Sequence, residues 1–148
     1  MADDILKLAA LDEDDLAVIS AHVQDAVFKV SDVRWEPGGG HFMIPMNRFV
    51  WEKVQGKRRA TNERRRTVLQ FDRVTAVKAH GIARTDDERV LSLLAVMFTP
   101  GDAPSGVVNV ICSGEAAFRL EVECIETRLT DLGSAWAASA RPKHVTGL

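Results

Sequence analysis

Seven basic residues stand between Lys53 and Arg66 against a single acid, Glu63. Arginine presents a planar fork of donors that fits phosphate or carboxylate through paired hydrogen bonds. Lys57-Arg58-Arg59 and Arg64-Arg65-Arg66 flank the bridge Ala60-Thr61-Asn62-Glu63. Phe49 and Trp51 lie just before the tract, where a ring can stack on a base or sit at a lipid interface. The candidate contact residues are therefore Trp51, Lys57, Arg58, Arg59, Arg64, Arg65 and Arg66. Their partner would be an acidic protein, a nucleic acid or an anionic lipid surface. The plainer reading is a long, mobile, solvated loop that pairs with the acidic N-terminal segment. There Asp3, Asp4, Asp12, Glu13, Asp14 and Asp15 face only Lys7.

Catalytic chemistry has less to work with. The four histidines, His22, His41, His80 and His144, lie in no H-E-x-x-H or H-x-E pattern, and none has a cysteine at ligand spacing. Cys112 sits among Val110 and Ile111 and reads as core. Cys124 falls at the start of a predicted helix, where the helix dipole favours a thiolate. An enzyme reading would therefore use Cys124, His80 or His41. Gly38-Gly39-Gly40 lacks the lysine of a phosphate loop, and Met43 stands where a dinucleotide fingerprint needs its third glycine. No cofactor or metal site is expected.

The elements that carry these residues belong to one domain. The 148 residues are one domain's length, spanning 1–148 with a core of about 11–139 and short loose termini. Of 19 basic and 21 acidic residues, seven and one lie in the 53–66 tract, so the remainder holds 12 against 20. The formal net charge of −2 argues against nucleic-acid binding by the whole surface. Two cysteines without metal spacing suit a reducing compartment, and Met1-Ala2-Asp3-Asp4 is no secretory leader. Cytoplasmic localisation is the expectation.

Asp12 is an N-cap candidate for a helix over Glu13–Ala26, with Leu16, Ile19, Val23 and Ala26 on one face. Ile125, Leu129, Leu132 and Trp136 recur at helical spacing and predict a second helix over Cys124–Ala138. Between them the period is two. Val33–Glu36 and His41–Met46 flank the Pro37–Gly40 turn, and Pro45 marks an edge strand or bulge. Arg66–Lys78 bends near Asp72-Arg73, and Val90–Phe98 reads as a central, fully buried strand. Val107–Cys112 and Ala116–Val122 form a hairpin through Ser113-Gly114-Glu115. The fold class expected is α+β: an antiparallel split barrel of six or seven strands, pleckstrin-homology-like (PH-like), with an N-terminal helix and a C-terminal amphipathic helix. An open antiparallel sheet is the alternative.

Several stretches carry a resemblance: Asp15–Ala26, Met46-Asn47-Arg48-Phe49-Val50-Trp51-Glu52, Phe71-Asp72-Arg73-Val74, Leu91–Leu94, Arg119–Glu126 and Leu132-Gly133-Ser134-Ala135-Trp136. Through them the chain resembles a family of small alphaproteobacterial proteins of unknown function. The resemblance implies a bacterial cytoplasmic protein and transfers no catalytic residue. The expected function is a non-catalytic binding or adaptor module that meets an anionic partner through the cationic tract. A small enzyme and a homodimer joined through the Pro45 edge and the Phe49–Trp51 stretch are the alternatives.

Overall fold

The structure is a computed structural model and describes residues 5–133 and 136–137; the side chains of residues 52, 53, 62, 136 and 137 are outside that description. Strand β1 spans Lys7–Ala10 and helix α1 spans Glu13–His22. Asp12 caps α1 as its sequence implies: its Oδ1 accepts from the Asp15 N–H at 2.8 Å. Leu16, Ile19, Val23 and Ala26 are all buried. The helix ends earlier than expected because Asp25 turns the chain at φ 65°, and its N–H bonds the Leu93 carbonyl instead.

The remaining strands are β2 Val27–Lys29, β3 Arg34–Glu36, β4 His41–Val54, β5 Lys57–Phe71, β6 Val74–His80, β7 Val90–Pro100, β8 Gly106–Cys112, β9 Ala117–Val122, β10 Thr127–Asp131 and β11 Trp136–Ala137. Neighbouring strands run in the order β1-β10-β5-β4-β2-β7-β8-β9-β6, with β3 on β4 and β11 on β5. Every pairing described is antiparallel. The expected split barrel with two helices is thus replaced by an open sheet of eleven strands with one helix among the described residues.

The second helix fails for a specific reason. Thr127, Leu129 and Asp131 all point inward and are buried, so the segment alternates with period two. Two of those inward positions are polar, which hides the alternation and leaves Leu129 and Leu132 looking helical. Leu132 is in fact 57% exposed. Cys124 therefore lies at no helix N-terminus.

The predicted hairpin over Pro37–Gly40 is present, with Glu36 opposite His41. Gly40 adopts φ 71°, and an added Cβ there would meet the Val74 carbonyl oxygen at 3.1 Å, so a side chain would be both strained and crowded. The Gly40 carbonyl accepts from the Val74 N–H and ties this turn to the start of β6. The bend at Asp72-Arg73 divides β5 from β6, with Arg73 at φ 59°. Pro45 lies in an interior strand, between the β3 pairing that stops at Met43 and the β2 pairing at Asn47. Strand β7 is central but not buried on both faces: Val90, Leu94 and Met97 are exposed. The core lies where the sheet curls on itself. The Phe42 ring of β4 meets Phe118 of β9 at 5.2 Å and Phe71 of β5 at 6.4 Å between centroids.

Candidate functional site

The cationic tract is no loop. Strands β4 and β5 continue past the body of the sheet as a two-stranded ribbon closed by Gln55-Gly56. Both turn residues have positive φ, 54° and 80°, the backbone of a tight two-residue hairpin whose twist matches its strands. Residues 55–60 are exposed. A bulge sets Val50 against Thr61-Asn62-Glu63 between the pairs Phe49↔Arg64 and Trp51↔Ala60.

The pairing sorts the side chains by face. Phe49, Trp51, Arg58 and Arg64 share one face. The Arg64 guanidinium lies 3.7 Å from the Phe49 ring centroid, and that of Arg58 lies 4.8 Å from the Trp51 ring. The two rings are 6.2 Å apart. Arg58 Nη2 also donates to the Ala21 carbonyl at 2.6 Å, near the C-terminal end of α1, where a cation suits the helix dipole. Lys57 and Arg59 stand on the opposite face, with Glu52 across from Arg59 in register. Among the described residues no carboxylate is within ion-pair distance of Lys57, Arg58 or Arg59.

The other candidate arginines divide from these. Arg66 donates to Asn47 Oδ1 at 3.3 Å and lies 3.7 Å from Asp32, part-buried against the sheet. Arg65 is buried, 3.7 Å from Asp131 Oδ2. Arg48 makes the strongest contact with the same carboxylate: Nε and Nη2 donate to its two oxygens at 3.0 and 2.9 Å. The Leu6 N–H donates to Asp131 Oδ2 at 2.9 Å. Arg65 is therefore part of the fold's interior. Neither Arg48 nor Asp131 stands out in the sequence as a partner, because 83 positions separate them.

A second polar cluster surrounds Asp72, whose side chain is only 8% exposed. His41 Nδ1 lies 2.6 Å from Asp72 Oδ1, Gln70 Nε2 donates to the same oxygen at 2.7 Å, and Arg128 Nη2 donates to Oδ2 at 3.1 Å. An ionised carboxylate only accepts, so His41 Nδ1 carries the proton, and Nε2 lies beside Gly39. Burial raises the Asp72 pKa, but the bonds from Gln70 and His41 and the Arg128 charge outweigh it, leaving it below its ordinary 3.8. A depressed carboxylate contributes stability that is full above the unfolded value and is lost as pH falls through the folded one. The urea midpoint of the wild type is expected to drop more steeply below about pH 4 than that of Asp72→Asn. Parallel curves would show that Asp72 does not titrate with unfolding.

The remaining enzyme candidates stand apart. His80 is exposed at the end of β6. Burial pushes the Cys112 thiol up to about 12, against an opposing pull from the Arg89 charge, so it is protonated at neutral pH. Cys124 is half-buried in the turn between β9 and β10. The described residues contain no group of three or more His, Cys, Asp or Glu side chains placed to hold a metal. No helix is long and apolar enough to cross a membrane among those residues.

These features define a class: an antiparallel β-sheet protein with, among the described residues, one covering α-helix and a basic two-stranded arm. Residues 6–144 match a family described as Protein of unknown function (DUF2948), and the chain belongs to that family. No curated protein and no solved structure matches the chain.

Proposed function

We propose that this protein is a non-catalytic binding module, working in the cytoplasm, that contacts an anionic partner through the tip of the β4–β5 ribbon. The carrying observation is the exposure of Lys57, Arg58 and Arg59 on a tight hairpin with no described carboxylate in ion-pair contact. Charges held on a paired backbone lose less conformational freedom on binding than charges on a free loop. The rest of the chain is acidic, so attraction to a polyanion is confined to this element.

The test is retention on immobilised heparin. The wild type is expected to elute at higher salt than Lys57→Glu/Arg59→Glu, although the protein's net charge is negative. Arg65 and Arg66 are left intact because reversing them would attack the sheet rather than the surface. Identical elution of the two proteins would sink the reading.

One observation favours a second reading as an enzyme. His41, fixed through Nδ1 by a buried carboxylate, has the arrangement of a general base. No nucleophile or substrate-holding group is described beside its Nε2, which keeps this reading second.

A further inference from the structure

We propose that the anionic partner is a single-stranded nucleic acid, bound along the face of the ribbon that carries Phe49, Trp51, Arg58 and Arg64. This rests on the ribbon being the contact element and adds the class of its partner. The geometry distinguishes this face from a generic basic patch. Two guanidinium groups lie on two aromatic rings, at 3.7 and 4.8 Å, and the rings are 6.2 Å apart along one strand. A guanidinium laid over a ring in this way is a flat cationic shelf. One side is supported by the ring; Arg58 is exposed and Arg64 half-buried, so a base would stack on the outer side. Rings at this separation, tilted 52° to each other, suit the splayed bases of an extended strand and not the parallel stack inside a duplex.

The backbone charge of such a strand also has its counterparts. Basic residues 57, 58 and 59 are consecutive on β5, so Lys57 and Arg59 are about 6.7 Å apart on one face. Arg58 projects from the other. The exposed tip thus carries Lys57 and Arg59 behind the stacking face, where phosphates of a strand that wraps the tip can reach them. The alternatives fit less well. A lipid surface needs an apolar tip to insert, but the turn is Gln55-Gly56 and the next three residues are Lys57, Arg58 and Arg59. An acidic peptide would satisfy the charges but leave the stacked shelves without a role.

The experiment is fluorescence anisotropy with a labelled single-stranded oligonucleotide of about twelve nucleotides, within the usual footprint of such surfaces. Polyglutamate of matched charge, a duplex of the same sequence and phosphatidylglycerol vesicles serve as the other arms. Two phosphate contacts, Lys57 and Arg59, predict a log–log salt slope of about −1.4 for the single strand. Lys57→Gln/Arg59→Gln should flatten that slope by about 1.4. Arg64→Lys keeps the charge and loses the planar shelf, so it should weaken the oligonucleotide several-fold and leave polyglutamate unchanged. Arg58→Lys is the second variant if Arg64→Lys does not fold. Equal binding of oligonucleotide and polyglutamate, with no effect of the arginine-to-lysine changes, would overturn the nucleic-acid assignment and keep the anionic module. Preference for vesicles or duplex would overturn it likewise. Absence of ribbon-dependent binding in every arm would overturn both.

Discussion

Replacing Asp131 with alanine is expected to destabilise the protein by about 3–5 kcal/mol, the usual cost of leaving a buried charge without its counter-ion. The Asp131 side chain is fully buried, and that of Arg48 is 6% exposed. Their paired hydrogen bonds join β10 to β4, and the Leu6 N–H adds the segment leading into β1. Arg65 brings β5 to the same carboxylate. Removing Asp131 therefore strands guanidinium charge in the interior and frees three elements of the sheet at once. Asp131→Asn keeps one oxygen to accept from the Leu6 N–H and fills the volume, but it loses the charge and turns the other oxygen into an NH2 donor facing Arg48, so it should cost less than alanine without being neutral. Urea denaturation of the two variants separates the contributions. A loss under about 1 kcal/mol for the alanine variant would mean that the arginines turn out to solvent without penalty.

Phe42→Ala should have an effect of the same order, about 3–5 kcal/mol, through a different mechanism. The ring is 1% exposed and lies where opposite parts of the curled sheet meet, against Phe71 on its neighbour and Phe118 across the core. Truncation would leave a cavity lined by rings from two strands, β5 and β9, which cannot collapse without unbending the sheet. Phe42→Leu fills most of that volume and should recover much of the loss. Denaturant midpoints at constant slope would check this. A small effect of Phe42→Ala would deny that β4 and β9 enclose a shared core.

Both sites show where the reading of the chain stops. Phe42 is legible as an inward position because Phe42, Ile44 and Met46 alternate, and all three are buried. Asp131 is not legible, because an inward carboxylate in a strand looks like an outward one until its partner is known. That partner is 83 residues away. For the same reason β10 reads as a helix in the sequence, since Thr127 and Asp131 break the apolar alternation while facing the core. It also placed Arg65 and Arg66 among the free cations of a loop. The consecutive arginines of the tract lie on alternating faces of a paired strand, so their environments differ sharply.

The sequence by itself determined what depends on neighbours along the chain. That includes the capped start of α1, the turns at Gly40 and at Gly114-Glu115, the break at Asp72-Arg73, the alternation of β4 and β9, and the excess of charge between Lys53 and Arg66. Tertiary structure alone decided the number of helices, the open order of the strands, and the meeting of His41 with Asp72 across 31 residues. It also decided which of the basic residues stay in water. The physical reason is range. Dihedral preferences, caps and periodicity act over a few residues and are written locally, whereas the burial of a polar group depends on a partner that only the folded sheet supplies.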